Sequence, residues 1–246
     1  MSSLGIWGFT RAADTSPKAA TLAETAMRLQ PSLAEAHASR AFIQLFWDWE
    51  WDEAGRGFAR AVDLNPGHAL IRLGHGHYLS IVGRMDEAIA EMKRSQVYDP
   101  LSPVCNRERR LYLAHRQVRS STSGFVLIER GRYDHAIDVL RKAEEVTRGM
   151  PWSAEGIGLA HGLMGNRQAA LEALAAARAK AAGAYLAWSA IARIHLGLAE
   201  DDAVLDCLER AVEERDALLP WLKFLPAFDR LHGHTRFQSI LAALGL

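Results

Sequence analysis

The chain has 246 residues, enough for one large domain or two small ones. Hydrophobic residues make up 49% and charged residues 24%, a soluble globular balance that excludes wholesale disorder. Twenty-nine Lys and Arg residues match 29 Asp and Glu residues, so the chain lacks the basic excess of a nucleic-acid or membrane-surface protein.

Alanine and leucine dominate, and both are strong helix formers, which points to an all-α fold. Cys105 and Cys207 are too few for a disulfide framework and form no C-x-x-C motif. No run of 18 apolar residues offers a membrane span, and Met1 to Gly8 has no basic start or apolar core of a secretory signal. The expected location is the cytoplasm.

In chain order, Leu4 to Gly8 reads as the tail of one helix, and Pro17 to Leu29 as the next. Pro31, Pro66 and Pro100 then follow one another at intervals of 35 and 34 residues. Before each proline stands the same small, large, small series: Ala19, Ala23, Ala26; Ala54, Phe58, Ala61; Ala88, Met92, Ser95. It returns as Ala136, Leu140, Ala143, as Ala170, Leu174, Ala177, and as Val204, Leu208, Ala211. Small residues Ala41, Gly76, Gly124, Gly158 and Ala192 precede these series by 12 or 13 positions. Turns are expected at Gly83, Gly131, Gly165 and Gly197, since glycine supplies the left-handed cap of a helix end at little cost. Each unit is therefore two helices, with Gly124, Gly158 and Ala192 expected where the second helix crosses the first closely. One unit cannot bury its own apolar face, so the units must stack.

These positions resemble the tetratricopeptide repeat, or TPR, family: the run Trp188, Ile191, Ala192, His195, Val204, Leu208, Ala211 follows its pattern of large, small and aromatic positions. The resemblance implies an all-α right-handed superhelical solenoid of antiparallel helix pairs. It implies one domain over residues 1–246: a partial repeat at 1–31, repeats at 32–66 and 67–100, a basic insert at 101–116, repeats at 117–150, 151–184 and 185–218, and a helical cap at 219–246. The ending, with Trp221, Pro226, Phe228 and Phe237, and the Asp48-Trp49-Glu50-Trp51 turn resemble the C-terminal TPR region of bacterial multidomain regulators carrying winged-helix or nucleotide-cyclase domains. His232-Gly233-His234 departs from that pattern. The arginines from Arg107 to Arg119 are expected to be a solvated surface; as a functional feature they would suit an acidic partner or RNA.

No phosphate loop, Gly-x-Ser-x-Gly or His-Glu-x-x-His motif is present, so no catalytic residue, metal or cofactor is expected. His75 and His77 are two apart on a helix and point away from each other, a poor chelate. His161 and His195 read as packing histidines. Stacked pairs create a groove lined by first helices, and Phe42, Leu73, His77, Phe125, Leu159 and Arg193 are its expected partner-binding residues. Glu155, Ser189, Ser80, Ile128 and Leu196 join that lining. The mixed, mostly apolar lining suits a protein or peptide segment with apolar anchors, and nucleic acid is not expected. The function expected is a non-catalytic adaptor, with a detached regulatory half of a transcriptional regulator or cyclase as the alternative, and an RNA-binding repeat as a further one.

Overall fold

A computed structural model describes residues 12–102, 124–146, 151–181, 186–216 and 218–246. The expected helix tail at Leu4 to Gly8 and the basic insert, apart from Leu101 and Ser102, lie outside the described residues. Among the described residues every regular element is helical. The chain divides into two compact units, whose described parts run to residue 102 and from residue 124.

Unit 1 holds α1 (Ala12–Leu29), α2 (Ala34–Ile43), α3 (Trp51–Leu64), α4 (Ala69–Ile81) and α5 (Met85–Tyr98). Each helix packs on the next in sequence. The small, large, small series faces inward as its spacing requires: Ala54, Phe58 and Ala61 of α3, and Ala88, Met92 and Ser95 of α5, are all buried. Asp52 and Glu53 open α3, and Asp86 and Glu87 open α5, where negative charge complements the helix dipole.

The first repeat is one residue longer than the second, and the extra residue has a visible place. A π-helical turn spans Gln44–Asp48 at the end of α2, between Ala41 and Ala54. A single π turn absorbs one inserted residue without breaking the helix. Trp49 follows in the left-handed conformation with φ of 60°. Arg40 secures the turn through Asp48 at 2.6 Å and Glu24 at 3.2 Å. Trp47 therefore lies in the π turn, Trp49 follows it, and Trp51 opens α3.

Unit 2 holds α6 (Gly124–Glu129), α7 (Tyr133–Val146), α8 (Pro151–Leu163), α9 (Arg167–Lys180), α10 (Trp188–Gly197) and α11 (Asp201–Glu213). Its packing again runs between neighbours, α6 on α7, α7 on α8, α8 on α9 and α10, and α10 on α11. The turns share one closure. At Gly83, Gly131 and Gly165, with φ of 81°, 68° and 79°, the glycine amide bonds back three residues and the next amide bonds back five.

Gly197 departs from the expectation. It is the last residue of α10, and the left-handed residue of that turn is Ala199, with φ of 57°. Glycine is needed at 197 for a different reason: a Cβ there would lie 2.6 Å from the backbone oxygen of Leu159. Opposite it, a Cβ on Gly162 would lie 2.5 Å from the carbonyl carbon of Gly197. The crossing of α8 with α10 is therefore backbone against backbone. Gly158 needs a correction of the same kind. Its nearest neighbour is Ile194 on α10, at 3.0 Å from an added Cβ, rather than its own second helix. Gly124 does meet its own second helix, since an added Cβ would overlap Leu140 at 2.3 Å.

After α11 come two 3₁₀ helices, Leu219–Phe224 and Pro226–Leu231, and then α12 (Thr235–Ala243). Phe228 and Phe237 stack at 6.2 Å, and both are buried with Leu231 and Ile240. Arg236 reaches back to Glu209 at 2.8 Å and Asp206 at 2.6 Å on α11, and Arg230 reaches Asp201 at 2.6 Å. The last helix packs on α11, and these ion pairs tie the ending to it.

Candidate functional site

In unit 1, Phe42 is half-buried on α2, edge-on to Phe58 at 5.0 Å and stacked on Phe46 at 6.1 Å. The ring has this place because Gly74 of α4 lacks a Cβ, which would stand 2.6 Å from it. Leu73 and His77 are buried at 4% and 3% exposure, so their side chains serve the packing between helices and present little surface. His77 lies edge-on to Phe46 at 6.4 Å. His75 stacks on Tyr78 at 6.2 Å, and burial holds its pKa below the usual histidine value. Among the described residues no group of three or more His, Cys, Asp or Glu side chains could hold a metal ion.

The charged lining of unit 1 is internal. Arg72 donates to Glu91 at 2.7 Å and to the carbonyl of Pro66 at 2.6 Å, with its guanidinium 5.6 Å from the Tyr98 ring. Arginine and carboxylate are both buried, and such a pair persists only with this degree of hydrogen bonding.

In unit 2 the sequence-predicted residues converge further. Leu159 is buried at 4%, facing α10 through its backbone. Phe125 of α6 and Arg193 of α10 are half-buried, and the guanidinium lies 5.0 Å from the ring centroid. This is cation–π distance, although the two residues come from helices on either side of α8. Gly156 of α8 makes the reach possible, since a Cβ there would come within 3.2 Å of the Phe125 ring.

Beneath Arg193 lies a carboxylate. Arg193 Nε forms an ion pair with Glu155 Oε1 of α8. Desolvation drives the Glu155 carboxyl up to about 7 despite Arg193, with the Asp216 charge adding to the rise. Asp216, after α11, is buried and also raised by burial; it accepts from the backbone N–H of Ser189 at 2.9 Å and of Leu218 at 3.0 Å. Asp216 thereby holds the first turn of α10 against the end of α11.

Sequence reasoning placed Glu155 and Arg193 on one lining without pairing them. The signal was available: removing one 34-residue repeat from 193 gives 159, one helical turn beyond 155. Asp216 carried no such signal, because it stands outside the repeating positions. His195, expected as a packing residue, bonds Glu200 at 2.6 Å, and Arg167 reaches the same carboxylate. His161 is partly buried, with its pKa lowered by desolvation.

No protein-family model matches the sequence, and no curated protein matches it. Solved structures do. A chain of the APC/C hetero-tetramer Cut9–Hcn1 is 17% identical, with a TM-score of 0.52 over 98% of this chain and 45% of that one. This chain therefore spans less than half the length of that protein. Pseudomonas aeruginosa pilF is 17% identical, with a TM-score of 0.42 over 94% of this chain and 90% of its own. The TPR domain of P58(IPK) is 19% identical, with a TM-score of 0.37 over 94% and 67%. The fold is the all-α helix-pair solenoid of TPR proteins. No helix among the described residues is long and apolar enough to cross a membrane.

Proposed function

We propose that the chain is a non-catalytic interaction module of the cytoplasm, and that it binds a protein or peptide segment along the first helices of its pairs. The observation that carries this reading is the Phe125–Arg193 contact. An aromatic ring and a guanidinium, both partly exposed, are held together from two non-adjacent helices. Aromatic and arginine side chains set on rigid elements supply most of the affinity in protein interfaces. Phe42 offers a comparable aromatic anchor in unit 1. Leu73, His77 and Leu159 contribute by fixing the helices that present these anchors.

A displayed library of random peptides, panned on the purified protein, supplies the probe. A selected peptide should lose on the order of 2 kcal/mol of binding to the F125A/R193A double variant, with helical circular dichroism unchanged. Full affinity in the folded double variant would overturn this assignment of the site.

A further inference from the structure

We propose that Glu155, Arg193 and Asp216 form a proton-operated latch between α8 and α10, closed when Glu155 is protonated and loosened when it ionises. The proposal does not depend on the partner-binding reading and concerns the free protein. Its basis is a count of charges in a closed space. Glu155 is 2% exposed and Asp216 3% exposed, and one guanidinium serves both. Burial raises the Asp216 carboxyl as well, and the backbone N–H groups of Ser189 and Leu218 oppose that rise. With a single proton on the two carboxyls, placed on Glu155, the cluster is neutral. With Glu155 ionised it carries one excess buried negative charge, which hydration relieves.

The surroundings give no other relief. Among the described residues, the charges acting on Glu155 come from Arg193 of α10 and from Asp216 after α11. Helices α7 and α9 also pack on α8, but their charges, Asp134 and Arg141 of α7 and Glu172 of α9, act on His161 further along α8, and α6 brings the uncharged Phe125 ring. The far end of the same crossing is the Gly162–Gly197 backbone contact, flanked by His161, whose pKa burial lowers, and by His195, which bonds Glu200. The latch acts at the N-terminal end of α10, where Ser189 is tied to Asp216. The sign follows from linkage. The closed state holds the Glu155 proton more tightly than an open, hydrated state, so rising pH shifts the balance toward opening.

Hydrogen exchange on the purified chain tests this, read in a peptide covering Trp188–Gly197 and corrected for the intrinsic pH dependence of exchange. Protection of this segment should fall by about tenfold from pH 5.5 to pH 8, while the Met85–Tyr98 helix of unit 1 keeps its protection. Glu155→Gln should flatten the dependence. A flat wild-type profile, or an unchanged slope in the variant, overturns the latch. Should Glu155→Gln fail to fold, the Glu155 carboxyl is titrated by carbon NMR in the wild type. A midpoint near 7, the pH at which the loss of protection levels off, supports the latch, and a midpoint in the ordinary carboxylate range overturns it.

Discussion

Ala199 and Arg215 stand where the other helix turns use glycine. Their φ angles of 57° and 52° lie in the left-handed region, and each turn closes with the same pair of backbone bonds as at Gly83. A side chain in that region costs about 1–2 kcal/mol, partly offset by the greater freedom glycine has in the unfolded chain. Ala199→Gly is therefore expected to stabilise the protein by about 0.5–1 kcal/mol, read as a higher urea midpoint at unchanged slope. A lower midpoint would show that the Ala199 methyl contributes contacts worth more than the strain. The sequence signalled a turn here through Gly197, two residues early, because glycine marks both turns and close approaches. Residue type alone does not tell the two apart.

Between helices, the close approaches decide the architecture. The crossing of α8 with α10 is lined by Gly158, Gly162 and Gly197. Gly158 has Ile194 at 3.0 Å from an added Cβ, and a side chain has some room to turn aside. Gly162 faces backbone at 2.5 Å, and backbone can yield only by moving the helix. Gly162→Ala is expected to cost about 1–3 kcal/mol, as much as or more than Gly158→Ala, although it adds the same single methyl. Equal stability of Gly162→Ala and wild type in thermal unfolding would mean that the two helices stand further apart. At this scale the helices themselves were legible, because the buried positions recur every 34 residues and dictate their faces. The partner of each face was less so. Gly158 recurs with Gly124 in sequence, yet one meets the next repeat's first helix and the other its own second helix. The π turn at Gln44–Asp48 was written in the sequence as a spacing of 13 instead of 12, while the buried Arg72–Glu91 pair joins positions that periodicity alone leaves unconnected.

In a stacked array stability becomes a matter of neighbours, and unit 2 allows this to be tested. Leu140 of α7 sits in a core with Leu127, Ile137 and Ile157. Leu208 of α11 is fully buried two helix pairs further on, and the helices that pack against α7 and those that pack against α11 are different sets. Removing either leucine leaves a cavity in a filled core, so Leu140→Ala and Leu208→Ala should each cost about 2–5 kcal/mol. With no shared neighbours, the double variant should cost the sum of the two within about 0.5 kcal/mol. Leu140→Ala with Ile157→Val should instead depart from additivity, since both side chains line one core and the first cavity gives the second site room to relax. Urea unfolding in sucrose, which keeps destabilised variants folded, measures both cycles. Strong coupling between Leu140 and Leu208 would show that unit 2 unfolds through rearrangements spanning the whole stack, rather than through contacts passed from each helix pair to the next.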